Sequence, residues 1–188
     1  LLTIHSTDVH TLRRMPGGHS ISRFITKSAD GIVSVSHFVH NMLQNITSMD
    51  IDAHILPMGV NSKAFVPKVN KHALRRQKGI VSESVVLYVG KLIEVKGVQT
   101  LIEAMATVRN TCNAQLLIAG GGDLKPVLER QAQALGLADD ISFLGPVAHE
   151  DLIDLYGLCD VVVVPSIVTA RQETEGMPVV ILEALSAG

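Results

Sequence analysis

The sequence predicts an α/β protein made of two Rossmann-like, doubly wound parallel-sheet domains, both incomplete within its 188 residues. Three observations carry this expectation. Short β-branched runs alternate with longer stretches of helical periodicity, the pattern of a parallel sheet covered by helices. The runs exit into glycine or proline, which permit sharp turns and close ligand approach at the carboxyl ends of strands, where open parallel sheets bind ligands. With 47% hydrophobic residues, the chain can bury the cores such sheets require.

In order along the chain, residues 1–5 and 31–35 read as strands and 20–29 and 36–46 as helices, with Ser36 as an N-cap; 53–56 is one more short strand. The stretch Pro57-Met58-Gly59-Val60-Asn61 and the polar segment after it mark a domain boundary. The reading is therefore 1–62 as the end of a first domain, 63–83 as a linker and 84–188 as a second domain truncated at its end. Within the linker, Lys68, Lys71, Arg75, Arg76 and Lys78 read as a solvated helix face, with contact to anionic lipid as the alternative. Residues 85–89, 115–119, 141–144 and 161–164 read as buried strands. Val98, Leu101, Ile102, Met105 and Val108 lie at helical spacing between the first two, Leu124, Val127, Leu128 and Leu135 between the next two, and 149–158 is a third helix. A last helix starts at about Pro178, whose missing N–H is not needed at the first helical position, and turns Val179, Ile181 and Leu182 inward. Four strands are read where an open doubly wound domain usually has about six, so both ends look cut.

Bulk properties exclude several function classes. A formal charge of −2, from 16 basic and 18 acidic residues, provides no field of one sign to hold a nucleic-acid backbone, so nucleic acid is not an expected partner. Cys112 and Cys159 match neither a disulfide framework nor a zinc spacing, which fits a reducing, cytoplasmic compartment. No apolar run approaches the roughly 20 residues needed to span a bilayer, and no basic segment followed by an apolar stretch opens the chain.

The segment from Glu175 to Glu183 carries the most chemistry: two carboxylates bracket a Gly-x-Pro turn, Gly176-Met177-Pro178, at the mouth of a helix. Gly176 admits a close ligand, and the first-turn amides with the helix dipole behind them form an anion site suited to a diphosphate. Glu183 is placed to accept from ribose hydroxyls and Glu175 from those of a sugar. Lys91 and Lys96, flanking the loop after the strand that ends at Val89, supply cations for the leaving diphosphate; the alternative is two surface lysines paired with Glu94 and Glu103. Gly120-Gly121-Gly122-Asp123 invites a dinucleotide reading but fails it, because a GxGxxG would need glycine where Lys125 stands, and Asp139 and Asp140 precede their strand. His5, at the end of the first strand, has a catalytic and a structural reading. His37 and His40 share a helix face at a metal-compatible spacing, but no third ligand is evident and no metal is expected. Nothing resembles a serine nucleophile elbow or a Cys–His pair.

These residues together resemble the retaining family 4 glycosyltransferases of GT-B fold. His5-Ser6-Thr7-Asp8-Val9 is similar to that family's HGxDV segment and Ile55-Leu56-Pro57-Met58-Gly59-Val60-Asn61 to its IPNGVD. Val89-Gly90-Lys91-Leu92 with Lys96-Gly97 is similar to VGRL…KG, and the run from Leu117 to Gly122, Phe143-Leu144-Gly145, the run from Asp160 to Ser166 and the glutamate pair followed by Ala184 also fit. The family most often has Arg where Lys91 stands, and Ser6 and Met58 replace the usual Gly and Asn.

The resemblance implies a nucleotide-diphospho-sugar donor held by the second domain, a glycan or lipid-linked acceptor held by the first, and transfer of a hexose-type sugar with retention. It implies catalytic roles for His5, Lys91, Lys96 and Glu175, with donor contacts from Gly90, Gly120, Leu144, Gly176, Met177, Pro178, Val179 and Glu183. No cofactor is implied beyond the donor itself. The run from Thr169 to Thr174 is similar to members that build bacterial surface polysaccharide, which points to work in the cytoplasm, at the inner face of the membrane where the acceptor is lipid-borne. Two other readings are a UDP-sugar epimerase of the same architecture and a nucleotide-sugar-binding module without catalysis.

Overall fold

The computed structural model describes residues 1–67 and 70–188, so Lys68 of the basic cluster lies outside the described residues. It divides into two compact units: Leu1–Gly59 with Ala170–Pro178, and Val60–Thr169 with Val179–Gly188.

The first unit contains β1 (Leu2–Ile4), α1 (Ser6–Arg14), α2 (Gly18–Ser28), β2 (Ile32–Ser34), α3 (His37–Thr47) and β3 (His54–Ile55). The strands are parallel in the order β1-β2-β3, with Leu2 opposite Ile32 and Val33 opposite His54. Val39, Leu43 and Ile46, one face of α3, close onto Ile4 and Ile32 of the sheet with Val9 of α1. Ser36 caps α3 as expected, its Oγ accepting from the Val39 N–H at 3.2 Å. Helix α1 was not read from the sequence, because Val9 and Leu12 are too few apolar positions to establish a period. Its ends are nonetheless well set: Asp8 accepts from the His5 N–H at 2.9 Å, and Arg13 and Arg14 occupy the last turn, where the helix dipole favours cations.

The second unit contains α4 (Lys71–Gln77), β4 (Ser84–Val89), a 3₁₀ turn (Glu94–Lys96), α5 (Val98–Val108), β5 (Ala114–Ala119), α6 (Lys125–Ala134), β6 (Ile141–Gly145), α7 (His149–Leu158), β7 (Val161–Val162) and α8 (Val179–Ala187). Its sheet is parallel in the order β6-β5-β4-β7. Successive strand residues point to opposite faces, so Leu116 and Ile118 meet α5 and α6 while Leu117 and Ala119 meet the other core. That other core takes Leu74 of α4, Leu155 and Tyr156 of α7, and Val180 and Ala184 of α8. Helices cover both faces, which is the doubly wound arrangement. The direction of winding reverses at β4, and the crevice at the carboxyl ends of β4 and β7 is the switch point where open sheets take ligands.

Two expectations change here. The segment 63–83, read as a linker, is built into the second unit: Phe65 and Leu74 are buried, and Arg75 donates from Nε to the Leu158 carbonyl at 2.8 Å. Lys71 and Arg75 both pair with Asp160, so this part of the basic cluster faces the fold while Arg76 and Lys78 stay exposed. The inward face of α8 is Val180, Glu183 and Ala184, and Ile181, expected inward, is 42% exposed.

Candidate functional site

In the second unit the loops leaving β4, β5 and β6 are laced together by their backbones. The Gly90 N–H donates to the Ala119 carbonyl at 3.0 Å, Leu92 to Gly121 at 2.9 Å and Gly120 to Gly145 at 2.8 Å. A Cβ on Gly120 would stand 1.8 Å from the Gly90 oxygen and one on Gly122 2.5 Å from the Leu92 oxygen, so these two glycines are required by the crossing backbones before any ligand is considered. The crossing leaves a cleft of about 280 Å³ lined by Gly90, Lys91, Gly120, Gly121 and Pro146 among others. Lys91 is exposed, and the Tyr88 hydroxyl fixes its backbone by donating to the Lys91 carbonyl at 2.9 Å. Lys96, half-buried, closes the 3₁₀ turn, which is tied to the segment after β7 by the Ile167 N–H donating to Val95 at 3.0 Å. Both lysines thus belong to loops at the switch point. Leu144, next to last in β6, is 41% exposed.

Glu183 is buried on α8 against α7. The Tyr156 hydroxyl donates to its Oε2 at 2.7 Å, and its Oε1 lies 3.9 Å from His149 Nδ1. Burial, reinforced by the Glu183 carboxylate, pushes the Tyr156 hydroxyl far above the ordinary tyrosine range, so the phenol remains the donor and the carboxylate the acceptor.

In the first unit, α1 grips the segment Ala170–Pro178 with residues four apart on one face. Ser6 Oγ accepts from the Gly176 N–H at 3.1 Å, His10 Nε2 lies 3.2 Å from both N and O of Thr174, and Arg14 pairs with Glu173. A Cβ on Gly176 would approach Val39 to 2.8 Å and Ser6 to 3.2 Å, so this glycine serves close packing. Its N–H, expected to face a diphosphate, is committed to Ser6 because the turn is docked on α1. His5 is exposed at the carboxyl end of β1, directly before α1, and Glu175 is half-buried beside Gly176.

A family model for glycosyl transferases group 1 matches residues 70–188. The chain belongs to this family. Over 93% of its length it is 30% identical to a GDP-mannose-dependent alpha-(1-6)-phosphatidylinositol monomannoside mannosyltransferase of Mycobacterium tuberculosis, of which it covers 46%. Among solved structures it is similar to a sucrose-phosphate synthase of Thermosynechococcus elongatus, at 28% identity and a TM-score of 0.78 over 98% of this chain and 47% of that one. It also shares the fold of Anabaena HepE in complex with UDP and glucose, with a TM-score of 0.80 at 19% identity over 99% of this chain and 50% of that one. The chain spans about half the length of these relatives. The two parallel-sheet units are those of the GT-B glycosyltransferase fold.

Within this group 1 chain, Gly90, Lys91 and Gly120 share one cleft and Lys96 lies in the adjoining turn. His5 and Glu175 belong to the first unit, and Leu144 and Glu183 to the second. Tyr156 and His149, which contact Glu183, and His10, which contacts Thr174, were not singled out by sequence reasoning, and Ser6 was noted only where it replaces a glycine, not for its contact with Gly176. Tyr156 sits at an apolar position of α7 and His10 on a helix that went unread, so neither carried a spacing signal. Burial, offset in part by Lys71, pushes the Cys159 thiol up to about 11, away from the thiolate form that nucleophilic attack requires. Among the described residues no three His, Cys, Asp or Glu side chains are grouped to hold a metal ion.

Proposed function

We propose that this chain acts in retaining sugar transfer, in which a hexose-type sugar passes from a nucleotide-diphospho-sugar to a glycan or lipid-linked acceptor. The observation that carries the reading is the cleft at the carboxyl ends of β4, β5 and β6, lined by Gly90, Lys91 and Gly120, with Lys96 in the turn that follows on the same edge of a group 1 domain. As the glycosidic bond breaks, negative charge grows on the leaving phosphate and positive charge on the anomeric carbon. Lys91 and Lys96 answer the first need, and the positive end of α8 adds to them. Glu183, its carboxylate oriented by Tyr156, accepts from the ribose hydroxyls, and Glu175 contacts the donor sugar. His5 stands at the reacting end of the acceptor side. The leaving phosphate assists the transfer in place of a carboxylate nucleophile.

The GDP-mannose named for the mycobacterial relative and the UDP and glucose bound in the Anabaena structure make GDP-mannose and UDP-glucose the first two candidate donors. The setting is the cytoplasm, at the inner face of the membrane where the acceptor is lipid-borne, in synthesis of bacterial surface polysaccharide. The test is an NMR-followed transfer reaction with each donor. Product of the same anomeric configuration as the donor, formed about 10²–10³ times more slowly by Lys96→Ala, is the expected result. Inverted product, or a Lys96→Ala rate within a few-fold of the parent, overturns the mechanism.

A further inference from the structure

Within the first unit, His10, Arg13, Arg14 and Arg171 line a cavity of about 400 Å³ between α1 and the segment Ala170–Pro178. Three of the chain's eight arginines therefore meet around one space. Glu173 pairs with Arg14, whereas Arg13 and Arg171 have no hydrogen-bond or ion-pair partner among the described residues. Three guanidinium groups against one carboxylate leave two positive charges uncompensated. Like charges gathered in this way repel, and an anion between them relieves the repulsion. Guanidinium forks match tetrahedral oxyanions in bidentate fashion, and they keep their charge at any physiological pH. The wall is also well supported, because the buried His10 ring is fixed to Thr174 from one side and α1 is anchored by Val9 in the core.

We propose that this cavity binds a phosphate group, and that the phosphate belongs to the acceptor. Two uncompensated charges suit a phosphate better than a single carboxylate. Along α1, the arginines lie about 12 Å from His5 at the rise of an α-helix, within reach of a phosphorylated sugar or glycerol unit. Assignment to the acceptor rests on the sugar-transfer reading; the anion site does not.

The test is a titration of the chain with inorganic phosphate at constant ionic strength, followed by NMR of backbone amides and arginine Nε–H groups. Arg13→Gln/Arg171→Gln and Lys91→Ala/Lys96→Ala variants run in parallel. Saturable shifts on α1, at least about tenfold weaker in the arginine variant and unchanged in the lysine variant, are expected. Non-saturable shifts, or equal affinity in the arginine variant, overturn the site. Arg171→Gln alone, at an exposed position, gives the same comparison if the double variant fails to fold. Two further arms separate the sources of the phosphate. Binding of glycerol phosphate without sedimentation on phosphatidylglycerol vesicles marks a soluble acceptor, and arginine-dependent sedimentation marks a lipid-borne one. A chain that binds phosphate at the arginines but no nucleotide sugar keeps the anion site and loses the sugar-transfer reading; the opposite pattern does the reverse.

Discussion

Glu183 ties α8 to α7 and, in the proposed function, also meets the ribose. A buried carboxylate is costly unless its oxygens are satisfied, and the Tyr156 hydroxyl satisfies Oε2 while Oε1 faces the exposed His149 ring. Phe65 packs edge-on against His149 with ring centroids 5.1 Å apart and helps hold that ring in place. Tyr156→Phe removes a hydrogen bond to a charged group and leaves the carboxylate short of a partner. The expected cost is about 1.5–3 kcal/mol, read as a lowered urea midpoint. The same variant is expected to lose preference for a ribonucleotide over its 2′,3′-dideoxy form, since a carboxylate no longer held by Tyr156 presents less well to the ribose. An unchanged midpoint with unchanged preference contradicts this account of the pair.

Asp160 does comparable work for whole elements, joining α4 to the sheet through Lys71, Arg75 and the Val85 N–H at 2.6 Å. Burial acts to raise its pKa, but the hydrogen bonds and charges of these three partners prevail and lower it to about 2. The folded value lies below the unfolded one, so the stabilisation is complete above about pH 4 and disappears as the pH falls toward 2. The Tm of Asp160→Asn is therefore expected to fall less steeply than that of the parent between about pH 5 and pH 2. Parallel slopes would mean that the ion network does not anchor α4. At this scale legibility follows periodicity. Helices α3, α5 and α7 display a clear apolar stripe and were readable. α8, Val-Val-Ile-Leu-Glu-Ala-Leu-Ser-Ala, is apolar nearly all round, so its sequence cannot say which face turns inward, and Ile181 was misplaced.

For the whole molecule, the α/β class and the parallel sheets were legible because each strand and its crossover helix are local in sequence. The grip of α1 on Ala170–Pro178 was not, since the partners of Ser6 and His10 lie 170 and 164 residues away and nothing local encodes such contacts. For the same reason the glycines at 120 and 176 were read as places where a ligand comes close, while the protein groups that stand against them, the Gly90 carbonyl and Val39, were hidden. The lysines were legible as loop cations, and the doubly wound topology explains their location, since both follow β4, where the strand order reverses, at the carboxyl edge of the sheet. In the proposed function the diphosphate of a nucleotide sugar binds at this carboxyl edge. Ligand-observed NMR of the chain against UDP, GDP and ADP sugars, with Lys96→Ala/Glu183→Ala as control, reads that binding without need of an acceptor. Selective binding of one nucleotide, lost in the variant, is expected; binding that is equal in the variant, or unselective among the three, rules the diphosphate site out.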